Sequence, residues 1–169
     1  MQEYRKFICE DCEAIIYLKS IACLKALQLV RESGERETGG ILIGRYSSCL
    51  RKVYINEFGD APKDSKSGFS WFVRGVKGLG EYLKKKWQQN EEYYLGEWHY
   101  HPANVPEPSL QDRTQLRKIS VDGRFNCKEP VLIIVSKGVN EYTLCVSLLI
   151  GSRIYKYQEM ERVGSLSRK

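Results

Sequence analysis

Gly96-Glu97-Trp98-His99-Tyr100-His101-Pro102 is the stretch on which the fold turns. Tyr93 to Tyr100 alternates as a strand, with His99 and His101 on one face and Trp98 and Tyr100 on the other. Pro102 cannot continue a central strand, so the histidine pair sits at a sheet rim, where the backbone turns and solvent enters. The chain has only these 2 histidines, and two neutral imidazoles sharing a face make a good start for a zinc site.

Outward from this strand, the pattern is mixed. Tyr4 to Cys9 reads as a short strand, and Asp11 offers a cap for a helix carrying Ile16, Cys23, Leu27 and Val30 on one face and stopping near Gly34. Ile41 to Arg45 and Val53 to Phe58 are β-branched strands around a polar turn at Ser47 and Ser48. Asp60 to Gly68 is a loop, Phe69 to Arg74 a strand, and Gly78 to Asn90 a helix with a Lys84-Lys85-Lys86 face that reads as solvated surface. Ser109 to Ser120 is helical; Glu129 to Lys137, Leu144 to Ile150 and Ile154 to Tyr157 are strands. The fold class is therefore α/β (α+β): one domain over residues 1–162, a curved mixed β-sheet flanked by helices, with a basic, fraying tail at 163–169.

Composition narrows the class. A length of 169 residues suits one domain, and 42% hydrophobic with 28% charged residues is the balance of a globular chain, which excludes disorder as the main theme. The longest aliphatic run, Val131 to Val135, is far short of the roughly 20 residues of a membrane helix. Glu3, Glu10, Asp11 and Glu13 interrupt the start of the chain with acid, against a secretory signal, so the expected location is cytoplasmic. The net charge of +6 permits nucleic acid or an acidic protein as partner without choosing between them. Six cysteines in a chain of this size are expected to be buried thiols, and Cys9-x-x-Cys12 lacks the second pair that a zinc ribbon needs.

A catalytic zinc wants three protein ligands and one open position, which directs attention to an acid downstream. Seven residues separate His101 from Ser109, and Asp112 follows three further on. Two readings meet here. Ser109 with Asp112 has the spacing of a helix capping box, and a capped first turn would also fix Asp112 in one orientation toward the histidines. Glu37 precedes Gly39-Gly40 and the apolar strand Ile41 to Gly44; the glycines allow close backbone approach or positive φ, or simply make a tight turn.

Together Glu37, His99, His101, Pro102, Ser109 and Asp112 match the pattern of the JAMM metalloisopeptidases (MPN-plus or JAB domains), which this chain resembles from Glu37 to Asp112 by motif and to about Tyr157 by strand order. Tyr100 departs from the small residue that many members carry between the histidines, but it points away from the proposed metal. The stretch from Gly96 to Pro102 and the compact size look like the bacterial deconjugases of CBASS antiphage operons, which reverse attachment of a cGAS-like nucleotidyltransferase to its targets.

The resemblance implies Zn2+ held by His99, His101 and Asp112, with Glu37 as proton carrier and Ser109 as oxyanion donor. Zinc would bring the pKa of its water to about 7. Glu97 rivals Glu37, since it lies two residues before His99 on the same face, about 6.6 to 6.8 Å along the strand. With no third histidine, serine or cysteine nucleophile schemes would have to borrow a zinc ligand. The implied partners are a ubiquitin-like conjugate or the C-terminal tail of a cGAS-like nucleotidyltransferase, and a ubiquitin-activating or conjugating-type enzyme of the same pathway. Three alternatives stand beside this reading: a processing protease for a ubiquitin-like sulfur carrier, a non-catalytic zinc-stabilised binding module, and a nucleic-acid binder resting on the +6 charge and the Lys84 cluster near Trp87, which has no motif behind it.

Overall fold

Strand β7 (Tyr93–His101) is one wall of a ring of strands whose pairing places each of its side chains either inside the ring or outside it. The computed structural model describes residues 3–103, 106–138 and 141–160, so the expected basic tail at 163–169 and the domain end at 162 lie outside the described residues. In chain order the remaining elements are β1 (Tyr4–Ile8), β2 (Ile15–Lys19), α1 (Ser20–Ser33), β3 (Thr38–Tyr46), β4 (Lys52–Phe58), β5 (Lys66–Ser67), β6 (Phe72–Val73), α2 (Leu79–Asn90), α3 (Leu110–Val121), β8 (Val131–Lys137), β9 (Tyr142–Ile150) and β10 (Arg153–Glu159).

The curved mixed sheet goes one step beyond the sequence expectation and closes on itself. The order is β1-β10-β9-β8-β7-β3-β4-β2, because β1 pairs with both β10 and β2, and closure gives each of these eight strands a partner on both sides. Two pairs, β2 with β4 and β7 with β8, run parallel. Leu42, Leu95, Trp98, Tyr100, Val131 and Ile133 share one core with Ala22, Ala26 and Val30 of α1. On the outer face, Leu116 of α3 packs on Leu132 and Ile134, while Ile119 packs with Ile41, Ile43 and Tyr94. No helix among the described residues is long and apolar enough to cross a membrane.

Three sequence expectations are corrected. Asp11 does not cap a helix: Ile15–Lys19 is a strand, and the helix starts at Ser20. Ile16 and Leu18 are buried while their neighbours are half-buried, so partners on both sides, β1 and β4, draw this β-branched run into the sheet. Phe69 to Arg74 is not one strand; two-residue strands β5 and β6 form a small hairpin whose tip is closed by the Gly68 N–H donating to the Trp71 carbonyl at 2.9 Å. The thiols are not uniformly buried: Cys23, Cys127 and Cys145 are, Cys9 and Cys12 are half-buried and Cys49 is exposed. Lys84 and Lys85 fit the solvated reading, being exposed, whereas Lys86 is half-buried and pairs with Glu57.

A bulge decides which way the histidines face. Leu42 pairs with Gly96 but Ile43 pairs with Tyr94, so β7 holds one residue more than β3 at this point. Leu95 and Trp98 therefore both enter the barrel, three residues apart, where strict alternation would have sent one of them outward. Gly96 takes φ of 145°, and a Cβ there would lie 1.9 Å from the Val131 carbonyl oxygen. Gly96→Ala should lower the melting temperature by several degrees, since strain of this kind costs about 1–3 kcal/mol. Gly123→Ala, where an added Cβ meets nothing within 4 Å, is the control and should melt like the wild type. Equal melting of the two variants would contradict the assignment of the bulge to Gly96.

Candidate metal centre

Beyond the bulge, alternation resumes with Trp98 and Tyr100 inside the barrel and Glu97, His99 and His101 outside, under α3. Trp98 is locked in place by its indole N–H, which donates to the Gly59 carbonyl at 2.9 Å. Gly39 of β3 pairs with His99, and a Cβ at Gly39 would come 2.4 Å from the Trp98 carbonyl oxygen and 2.8 Å from the imidazole. The need for glycine there is close approach, since Gly39 and Gly40 are not among the positive-φ residues.

Asp112 comes from the first turn of α3, where it begins a buried stripe continued by Leu116 and Ile119. The capping box is present in full. The Asp112 N–H donates to Ser109 Oγ at 3.1 Å, and Asp112 Oδ2 accepts from the Ser109 N–H at 2.7 Å and from its hydroxyl at 2.6 Å. The capping reading of Asp112 holds, and the same carboxylate also meets both imidazoles. His99 Nδ1 lies 2.6 Å from Oδ1 and His101 Nε2 lies 3.4 Å from Oδ2. One donor atom from each of the three residues falls within 4.8 Å of the others. Two imidazole nitrogens and a carboxylate oxygen are a donor set that suits zinc.

All five residues expected from the sequence line one cleft of about 280 Å³: Glu37, His99, His101, Ser109 and Asp112. Burial lifts the Glu37 carboxyl above its ordinary value, with His101 and His99 pulling the other way and Asp112 adding to the rise. Burial also acts on Asp112, but hydrogen bonds with His101, His99 and Ser109 outweigh it and hold that carboxyl well below the usual range. His99 is opposed by burial and raised by Asp112 and Glu97, to about 9. The cluster therefore draws positive charge to the space among its three donors, as a proton or as a cation.

Glu97 stands apart from Glu37. It is not in the main cleft but lines a smaller one of about 140 Å³ with Arg74, Phe72 and His99. Arg74 Nε donates to its Oε1 at 2.8 Å, with the two side chains 8% and 4% exposed, and the Tyr94 hydroxyl lies 3.4 Å from the same oxygen. Burial raises this carboxyl, yet His99 and Arg74 together bring it below its ordinary value. Sequence reading missed Arg74 and Tyr94; nothing in a lone arginine 23 residues away marks it. It also missed the hairpin, whose Phe69, Ser70 and Phe72 wall the main cleft, with Phe72 edge-on to His99 at 5.6 Å between ring centres.

The chain is similar to several known proteins. It is 39% identical over 140 residues, 80% of its length and 77% of the relative's, to a CD-NTase/cGAS isopeptidase of Enterobacter hormaechei subsp. hoffmannii (strain UCI 50). It is 26% identical to the CD-NTase/cGAS isopeptidase of Pseudomonas aeruginosa (strain BWHPSA011 / Pa011), across 90% of this chain and 94% of that one. The solution structure of protein DSY2949 from Desulfitobacterium hafniense has the same fold, with a TM-score of 0.57 at 19% identity, covering 86% of this chain and 90% of the other. Residues 22–149 match the family model described as prokaryotic homologs of the JAB domain. That match spans most of the barrel and the whole donor set, and the chain belongs to this family.

Proposed function

We propose that the protein is a zinc-dependent isopeptidase that hydrolyses the amide joining the C-terminus of a conjugated cGAS-like nucleotidyltransferase to its target, in the cytoplasm of a bacterium under phage attack. The observation that carries this reading is the convergence of Glu37, His99, His101, Ser109 and Asp112 on one cleft. The substrate class rests on the two relatives named as CD-NTase/cGAS isopeptidases, whose lengths the chain covers to 77% and 94%. A ubiquitin-activating or conjugating-type enzyme would make the conjugate that this enzyme undoes.

His99, His101 and Asp112 would hold the metal and leave a coordination position open toward the cleft. Zinc there would bring water within reach of ionisation near pH 7 and polarise the scissile carbonyl. Glu37, raised by burial, takes the proton of the attacking water and passes it to the leaving amine as the C–N bond breaks. Glu97 is held by Arg74 in the neighbouring cleft, which favours Glu37 for this work. The Ser109 hydroxyl turns from Asp112 Oδ2 to donate to the oxyanion of the tetrahedral intermediate, while its backbone N–H keeps Asp112 in place.

Purified protein loaded with zinc should release the nucleotidyltransferase from a conjugate prepared with its conjugating enzyme. Chelation should stop release, and Asp112→Ala should carry little zinc. Release that continues under chelation, or equal zinc in the Asp112→Ala variant, would contradict the metal reading.

Glu37→Ala should lose about 10²–10⁴-fold in turnover with wild-type zinc content and melting temperature. Wild-type cleavage by Glu37→Ala, together with an inactive zinc-loaded Glu97→Ala, would move the proton-carrying role to Glu97.

For Ser109→Ala, loss of the cap costs about 0.5 to 2 kcal/mol of stability, whereas loss of the oxyanion donor lowers kcat by about 10²-fold or more with KM nearly unchanged. The kinetic loss should dominate. A variant that melts early but cleaves at the wild-type rate would reduce Ser109 to a helix cap.

A further inference from the structure

Behind His99, on the side away from the main cleft, lies a buried polar group that the hydrolysis scheme does not use. Arg74, from the segment after the hairpin, and Tyr94, on β7 before the bulge, both reach the Glu97 carboxylate. The arginine is itself placed, donating from Nη1 to the Gly75 carbonyl at 2.9 Å and lying 5.9 Å from the centre of the Phe125 ring. These contacts occupy Glu97 Oε1, and the other oxygen, Oε2, is 3.5 Å from His99 Nε2. His99 is thus bracketed by two carboxylates, Asp112 at Nδ1 and Glu97 at Nε2.

We infer that Glu97, anchored by Arg74 and Tyr94, is a positioning residue that accepts the Nε2 N–H of His99 and so presents Nδ1 to the metal. The inference rests on the ligand set proposed above and adds the group that orients one member of it. The physical reason is that an imidazole has two nitrogens and can rotate about its bond to Cβ. A carboxylate accepting from one nitrogen fixes both the ring plane and the tautomer, leaving the lone pair of the other on the metal side. Phe72, edge-on to the ring, limits the same rotation sterically. The bulge at Gly96 supplies the geometry, because it puts Glu97 on the outer face with His99 while Tyr94, three residues earlier, faces the same way.

The cost of the arrangement is a buried ion pair, and removing one partner alone would strand a charge and threaten the fold. The test therefore changes both. In Arg74→Met/Glu97→Gln the site is neutral but retains an amide oxygen that can accept from His99. In Arg74→Met/Glu97→Leu no acceptor remains. Zinc affinity of each variant and of the wild type is measured by competition with a chromophoric chelator at fixed pH, and thermal melting in chelator reports stability separately. The leucine variant should bind zinc about 10- to 100-fold more weakly than the wild type, the range seen when partners of metal-ligating histidines are removed. The glutamine variant should recover much of that loss. Wild-type affinity in the leucine variant, with only the melting temperature changed, would overturn the positioning role and leave the His99, His101 and Asp112 set standing. A wild type that binds no zinc would overturn both. If the leucine variant does not fold, equal affinities of the glutamine variant and Arg74→Met/Glu97→Ala would likewise overturn the role, and weaker binding by Arg74→Met/Glu97→Ala would support it.

Discussion

One extra residue in β7 governs this structure. Leu95 and Trp98 are both committed to the barrel interior, and a strand with strict alternation cannot send residues of odd separation to the same side. The bulge opposite Leu42 and Ile43 resolves the conflict and turns Glu97, His99 and His101 outward together. Had the alternation set by Leu95 continued, both imidazoles would have pointed into an apolar core, where neither metal nor substrate could reach them. The chemistry of the outer face thus depends on a backbone irregularity whose glycine sits with φ of 145° against the neighbouring strand.

Asp112 shows how a stabilising local motif and a candidate ligand coincide. Its Oδ2 accepts two hydrogen bonds from Ser109, which fixes the side-chain torsion before any ion arrives. Its Oδ1 faces His99. A carboxylate already ordered by a cap gives up little further rotational freedom on binding a cation, and this is the sense in which the first turn of α3 prepares the site. The two glutamates near the histidines divide by environment. Glu37 is raised by burial, as suits a group that exchanges protons, whereas Glu97 is fixed as an ion by Arg74.

What could be read in the sequence was what short-range geometry sets. The histidine pair on one strand face, the Ser109 and Asp112 spacing and the bounds of α2 each depend on residues a few positions apart, and they appear in the structure as expected. Long-range pairing was the part that could not be read. Ile15–Lys19 became a strand because β4 accepts it in parallel, and the barrel closed because β1 meets β10 at the far end of the chain. The bulge did carry a signal, since a lone glycine inside a strand marks such a site, but the alternation around it gave no reason to look. Arg74 gave none at all, because its place beside Glu97 is made by the hairpin fold and not by spacing.

The central claim is that the outer face of β7 and the first turn of α3 together hold one zinc ion. Crystals of the zinc-loaded protein, measured on both sides of the zinc absorption edge, test it most directly. The account predicts a single anomalous peak about 2.0–2.2 Å from one nitrogen each of His99 and His101 and from an oxygen of Asp112. A peak bound elsewhere, or one that touches the histidines with Asp112 turned away into its cap, would contradict it.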